Sequence, residues 1–354
     1  MINMLKISLL IICTFVHSVQ AYDIEEKQGV HKPTILVTGG AGYIGSHTSF
    51  LMKQNGYNVV ILDHNKNNLA HTQSWAKTIE GDYGDEALLH SIFTQYSIDA
   101  VMHFAGFIEV GESVKNPLSF YQNNVSKTIT LLQVMLAHNI KTFIFSSSCA
   151  VYGTPQWIPL TEDHPRDPIS PYGKTKYMIE MILEDVHNAH ELNFVALRYF
   201  NAAGALPEHN LGERHVPETH LIPLLINASY HNKTFKIFGT DYPTEDGTCI
   251  RDYLHVLDIA EAHRLALEYL NHGGESGFFN LGTGTGTSVQ QMVDAVQRII
   301  KSEPAIILAD RRPGDPAILV ANSSHVRNIL GWKPNYSNLD NILKTAYDFY
   351  ILNT

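Results

Sequence analysis

Two short stretches of this chain carry the side chains that could move a proton between them. Ser146-Ser147-Ser148 closes the apolar run Thr142-Phe143-Ile144-Phe145, and Tyr172 precedes Lys176 by four residues in Ser170-Pro171-Tyr172-Gly173-Lys174-Thr175-Lys176. Pro171 suits the first position of a helix, so Tyr172 and Lys176 fall on one face, one turn apart. A free phenol has a pKa of about 10 and needs a cation beside it to act as a base near neutrality. Lys176 supplies that cation, and Ser148 can relay a proton or anchor a substrate hydroxyl. Alone, the Tyr-x-x-x-Lys spacing is weak. A chain with 17 tyrosines meets it by chance, and a solvated helical pair reads the same way.

A second constellation gives it weight. Thr38-Gly39-Gly40-Ala41-Gly42-Tyr43-Ile44-Gly45 follows the apolar run Thr34–Val37 and opens a helical pattern. Its spacing is GxxGxxG rather than GxGxxG. Gly39 permits a tight turn, Gly42 lets backbone approach a pyrophosphate, and Gly45 allows close packing of helix on strand. The helix start then offers unpaired N–H groups to phosphate. Asp63 ends the next strand, roughly 20 residues on, where a carboxylate accepts ribose hydroxyls and repels a 2′-phosphate. NAD is favoured over NADP.

The elements that must position these groups alternate. Short apolar strands are predicted at Thr34–Thr38, Tyr57–Leu62, Val101–Phe104, Thr142–Phe145 and Phe194–Arg198, with helical patterns between them, the first from about Ile44 to Asn55. This is the signature of right-handed βαβ units. The fold class is α/β, a doubly wound parallel Rossmann sheet with a smaller mixed α/β substrate-binding lobe. After about Asn201 loops rich in Pro, Gly and Thr take over. Residues 33–200 read as the NAD-binding domain and 201–354 as the ligand-binding lobe, although segments of the second half can cross back onto the first.

Bulk properties exclude other classes. The formal charge of −10, from 35 acidic and 25 basic side chains, argues against a nucleic-acid surface. The three cysteines show no CxxC pair, and the 19 histidines show no HExxH spacing, so no disulfide framework or metal site is indicated. Lys6, the apolar run Ile7–Val16 and Val19-Gln20-Ala21 outline a secretory signal, or else a leader from a wrongly assigned start. The run is too short to span a bilayer. Residues 1–32 stand outside the fold argument.

These residues together resemble the extended short-chain dehydrogenase/reductase superfamily and, within it, the UDP-glucose 4-epimerase family. The segments that carry the resemblance are TGGAGYIGSH (38–47), HFAGFIEVGESVKNPLSFYQNNV (103–125), SSSCAVYG (146–153), SPYGKTK (170–176), LRYFNAAGA (197–205), FGTDYPTEDGTCIRDYLHV (238–256), FNLGTGTGTSV (279–289) and RRPGD (311–315). The PTEDGT…RDY stretch is the most specific of them. The resemblance implies that Tyr43 and Ile44 touch the pyrophosphate, with Asp63 and Asn68 near the adenosine ribose and Asp82 and Tyr83 at the adenine. Phe104, Ala105, Gly106 and Asn123 follow the cofactor, and Phe200 lies near the nicotinamide. Asn201, His220, Leu221, Phe238, Arg251, Arg312 and Asp315 match positions that hold a UDP-hexose. Arg251 and Arg312 also make chemical sense as diphosphate clamps, because guanidinium binds phosphate oxygens bidentately.

By the same resemblance, Tyr172 removes the C4 hydroxyl proton, directly or through Ser148, while hydride passes to NAD. The 4-keto sugar swings over and both return to its other face. A homodimer is implied, with a cytoplasmic location because NAD and UDP-sugars lie there. Some positions depart from the family pattern. Ile108 replaces a cofactor-contacting lysine, and His220 stands where asparagine is common. Leu319 replaces either a bulky aromatic or a small residue beside the sugar 2-position, which leaves N-acetylated sugars open. The rivals are an epimerase of a UDP-pentose or UDP-N-acetylhexosamine and a non-catalytic NAD-binding regulator. A 4,6-dehydratase is disfavoured, since Ser148-Cys149-Ala150 lacks the acid that such an enzyme needs there.

Overall fold

The computed structural model describes residues 33–312 and 315–354. The leader, and Pro313-Gly314 of the RRPGD segment, lie outside the described residues. Seven parallel strands form the central sheet. Six come in chain order: β1 (Thr34–Thr38), β2 (Asn58–Asp63), β3 (Lys77–Glu80), β4 (Ile98–His103), β5 (Thr142–Ser148) and β6 (Asn193–Tyr199). The seventh, Gly277–Leu281, arrives from the second half of the chain and pairs with β6. In space the order is this last strand, β6, β5, β4, β1, β2, β3. The chain therefore winds one way from β1 and the other way from β4. The crevice between their carboxyl ends is the switch point at which open α/β sheets bind ligands.

Alternation along the strands sorts the core. Ile35 and Val37 of β1 face one apolar cluster, joined by Ile144, Val195 and Leu197 under the helices Tyr43–Gln54 and Val256–Asn271. Leu36 faces the opposite cluster, with Val101, Phe143, Phe145 and Ala196 under the helices Glu86–Gln95, Lys127–Ala137 and Pro171–His190. Burial on both faces is why these strands read as unbroken apolar runs. Each fully buried Val, Leu or Phe contributes about 1.5–3 kcal/mol of transfer free energy.

β5 extends three residues past its apolar run because β6 keeps pairing with it, Ser146 opposite Leu197, Ser147 opposite Arg198 and Ser148 opposite Tyr199. That registration carries Ser148 to the sheet's carboxyl edge. β2 ends on Asp63.

The second half builds a smaller lobe around Leu225, Ile226, Met292, Val293 and Ile342, from the helices Leu221–Tyr230, Val289–Ile300 and Leu339–Leu352. Short strands edge it: Thr234–Phe238 with Ala305–Ala309, and Ile250–Arg251 between Thr287–Ser288 and Ile318–Leu319. Among the described residues no helix is long and apolar enough to cross a membrane.

Candidate active site

The glycine turn after β1 meets the exit of β4. Gly39 has φ +69°, and a Cβ there would lie 2.6 Å from the backbone nitrogen of Ala105. A Cβ on Gly45 would lie 2.2 Å from the Gly39 carbonyl oxygen, so the helix can start this close to the turn only without a side chain. Gly42 is the N-cap residue of helix Tyr43–Gln54. Its first turn carries no side-chain cap and no acidic residue. The N–H groups around Tyr43, Ile44 and Gly45 are thus the kind of terminus that receives phosphate.

Asp63 is buried, and one carboxylate oxygen accepts the Ala41 N–H at 3.1 Å while the other accepts the Asn65 N–H at 2.9 Å. It therefore fixes the glycine turn from the neighbouring strand. The turn is a cradle that side chains would fill, with an uncapped helix start and a carboxylate at the end of β2, and these features fit a dinucleotide.

The remaining cofactor candidates are unevenly placed. Asn68 sits half-buried on the short helix Lys66–Thr72. The Asp82 carboxylate pairs with Lys127 at 2.5 Å, which holds its pKa below the usual carboxylate range. The Tyr83 ring is buried, its hydroxyl donating to the Asn123 carbonyl, so its phenol is committed inside the protein. Asn123 lies on a π-helical turn, Tyr121–Ser126. Such turns often mark functional sites. Beside it, Asn124 accepts from the Phe107 N–H at 2.8 Å and donates to Thr175 Oγ1 at 3.2 Å, tying the Phe104-Ala105-Gly106 strap to the helix that carries Tyr172 and Lys176.

That helix starts at Pro171, with Ser170 Oγ capping the Gly173 N–H at 3.1 Å. Lys176 is buried and donates to the Ser146 carbonyl at 2.7 Å, with Nζ 5.8 Å from the centre of the Tyr172 ring. Burial pushes the Lys176 ammonium down to about 8. Burial likewise pushes the Tyr172 phenol up to about 12, opposed by a hydrogen bond with Ser148. Ser148 Oγ also accepts the Ala150 N–H at 3.2 Å. The three predicted catalytic residues therefore meet at the carboxyl end of β5. Cys149 beside them is inert as a nucleophile at neutral pH, its thiol pushed up to about 12 by burial.

Below this group lies a network that sequence analysis passes over. Glu180, one turn beyond Lys176, is fully buried; it accepts from Arg198 Nε and Nη2, both at 2.8 Å, and from Ser147 Oγ at 2.6 Å. Arg198 Nη1 donates to Tyr152 Oη at 2.9 Å, and the Tyr152 hydroxyl donates to Asn280 Oδ1 at 2.6 Å. The i, i+4 spacing of Lys176 and Glu180 on a helix was the available signal; the burial of Arg198 was not readable.

The ligand candidates of the second half lie on its loops and strand ends. Phe200 is buried against Val151, Tyr152 and Leu160, with Cys149 and Leu319 packed on the same cluster. Asn201 donates its N–H to the Asp252 carbonyl at 3.0 Å. His220 is the N-cap residue of the helix that Leu221 begins. Phe238 ends its strand under the exposed Arg312 guanidinium, 4.2 Å from the ring centre. Arg251 pairs with Asp315 and donates to the Pro316 carbonyl at 2.8 Å. Its charge reaches Cys149, the residue after Ser148. The adjoining Asp252 carries no sequence signal of its own, yet its buried carboxylate accepts from Thr283 N–H at 2.8 Å, Gly284 N–H at 3.0 Å and Ala321 N–H at 3.3 Å, pinning two loops beside Arg251.

Known proteins are similar to this chain over most of its length. The chain is 49% identical over 318 residues to the UDP-glucose 4-epimerase of Rhizobium leguminosarum bv. trifolii, covering 90% of this chain and 97% of that one. It is similar to the crystal structure of UDP-glucose 4-epimerase from Brucella ovis in complex with NAD, with a TM-score of 0.85, 43% identity, and 89% and 97% of the two chains covered. It is also similar to the Bifidobacterium longum UDP-glucose 4-epimerase in complex with NAD+ and UDP, with a TM-score of 0.84, 38% identity, and 90% and 98% covered. The family model matches residues 35–282, and the chain belongs to the NAD dependent epimerase/dehydratase family.

Proposed function

We propose that this chain is an NAD-dependent UDP-glucose 4-epimerase that interconverts UDP-galactose and UDP-glucose. The observation that carries the reading is the convergence of Ser148, Tyr172 and Lys176 beside the switch-point crevice. In the protein alone, burial disfavours both charged forms, leaving a neutral phenol beside an ammonium at pH 7. When bound, NAD would supply a positively charged ring able to accept and return hydride, and that charge would add to the charge of Lys176 in favouring the Tyr172 phenolate. Tyr172 then takes the C4 hydroxyl proton, directly or through Ser148, and gives it back after the 4-keto sugar has turned its other face. Lys176 stays charged and holds the ribose. Gly39, Gly42, Tyr43, Ile44, Gly45, Asp63, Asn68, Asp82, Tyr83, Phe104, Ala105, Gly106, Asn123 and Phe200 hold the cofactor.

The UDP moiety is gripped by Arg251 and Arg312, with Asn201, His220, Leu221, Phe238 and Asp315 around it. Firm hold on UDP and loose hold on the hexose permit the rotation. Residues 33–200 carry the cofactor and 201–354 the nucleotide sugar. Exposed Val114, Leu118, Ile129, Met178 and Met181 support a homodimer, and the cytoplasm, where NAD and UDP-sugars occur, is the proposed location. Incubating the purified chain with UDP-galactose and no added NAD, with products resolved by chromatography, tests the reading. UDP-glucose is the expected product. No conversion even with NAD added would transfer the assignment to another UDP-sugar or to a non-catalytic role.

A further inference from the structure

Between the 3₁₀ turn Pro207–His209 and the helix Leu221–Tyr230, four metal-ligating side chains stand within eight residues: Glu213, His215, Glu218 and His220. We propose that Glu213, His215 and His220 form a binding site for a transition-metal dication of the zinc class. One ligand atom from each lies within 4.8 Å of the others. Glu213 Oε1 is 2.8 Å from His215 Nδ1, and Glu213 Oε2 is 3.6 Å from His220 Nδ1. Bonds of about 2.0–2.1 Å to a tetrahedral zinc put ligand atoms about 3.4 Å apart, so modest side-chain rotations bring the three to one point. Glu218 Oε1, 2.8 Å from His220 Nδ1, offers a fourth donor. Two imidazoles with carboxylate select Zn²⁺, Co²⁺, Ni²⁺ or Cu²⁺ over Mg²⁺ or Ca²⁺.

The loop holds these donors in place without a metal. Glu213 Oε1 also accepts the N–H groups of Arg214 at 3.0 Å and His215 at 3.2 Å. The Arg214 guanidinium donates to the Asn210 carbonyl at 2.9 Å and lies 4.6 Å from the centre of the Phe349 ring. Each His Nδ1 can donate a proton to its carboxylate partner; a metal takes the place of that proton. The placement also gives a dication something to offset. The charges of Glu213 and Glu218 both bear on Tyr43, at the start of the helix proposed to receive pyrophosphate. Metal loading neutralises this excess and fixes His220. On the reading under Proposed function, His220 is then withdrawn from the nucleotide sugar, and turnover falls.

The histidine spacing, H-x-x-x-x-H with Glu two residues before the first, matches no standard ligand template, which is why the sequence alone indicates no metal. A competing half-buried pair exists, His90 Nδ1 and His138 Nε2, 2.9 Å apart. Equilibrium dialysis of the full chain against Zn²⁺, with bound metal counted, separates the two. We expect one equivalent per chain, with affinity at least about tenfold weaker in both His215→Ala and Glu213→Gln, and unchanged in His90→Ala/His138→Ala. Circular dichroism confirms that each variant is folded. Undiminished binding in His215→Ala, or binding lost only in the His90/His138 variant, overturns the site. With Co²⁺ substituted, the visible absorption of a tetrahedral centre is expected in the parent chain and absent in Glu213→Gln; its presence in that variant overturns the ligand assignment. Activity gives a separate readout. Zn²⁺ should slow the parent and leave His215→Ala at its basal rate, and equal inhibition of both would refute the coupling to His220 while the dialysis result stands by itself.

Discussion

The two halves of the proposed site are built by opposite strategies. On the sheet side, Ser148, Tyr172 and Lys176 come from the end of a strand and the first turns of a helix, and the layer beneath them is sealed by Glu180, Arg198 and Ser147. On the lobe side, Arg251, Arg312 and His220 come from a two-residue strand, a loop and a helix cap, and each side chain already has a partner of its own. Groups that transfer protons must stay within tenths of an ångström of one geometry, so regular elements hold them. Groups that grip a charged ligand can trade an internal partner for phosphate, so loops suffice.

Substitutions should divide along the same line. Tyr172→Phe removes the proton carrier from the rigid side. Turnover should fall by on the order of 10²–10⁴-fold or more, with UDP binding by calorimetry nearly intact. Undiminished turnover would refute the assignment. Glu180→Gln leaves Arg198 charged and unpaired in the core, and breaking a buried pair in this way costs about 3–5 kcal/mol. Denaturant melts should show that loss, and kcat should fall with it; an unchanged midpoint would deny that the layer under the site is rigid.

Lys176→Met tests the cost of burying a charge. The ammonium is depressed from 10.5 to about 8, so the unfolded chain binds the extra proton and stability rises with pH between those values. Below pH 8 the penalty is fully present, and removing it should stabilise the inactive variant by up to about 3 kcal/mol at pH 7, with the gain vanishing above pH 10.5. A pH-independent difference would contradict the burial argument. Arg251→Ala acts on the loop side and should raise KM for the UDP-sugar by an amount worth about 1.5–3 kcal/mol while kcat changes less. A pure kcat loss would erase the distinction between the halves.

Much of the sheet side was legible, because βαβ alternation, glycine spacing and a helix-initiating proline are local signals. Asp63 at the end of β2 and Ser148 at the end of β5 followed from strand ends alone. What was not legible depends on contacts far apart in the chain. The phenol of Tyr83 is turned inward to the Asn123 carbonyl, forty residues on, a bond that no local signal announces. Glu180 and Arg198 gain meaning only when β5, β6 and the helix Pro171–His190 are brought together. Asp252, hidden behind the more conspicuous Arg251, meets loops from 283 and 321. The Glu213, His215 and His220 cluster forms in a loop without periodicity.

The strand Gly277–Leu281 sets a schedule for the newborn chain. Until it arrives, β6 ends the sheet with an open edge, and Tyr152 lacks the Asn280 side-chain oxygen that accepts its hydrogen bond. Translation at roughly 5–20 residues per second leaves that edge waiting about 4–16 s after Tyr199 has been made. Nearly four-fifths of the polypeptide must therefore leave the ribosome before the central sheet can close, and no fragment ending near residue 200 contains the means to finish it.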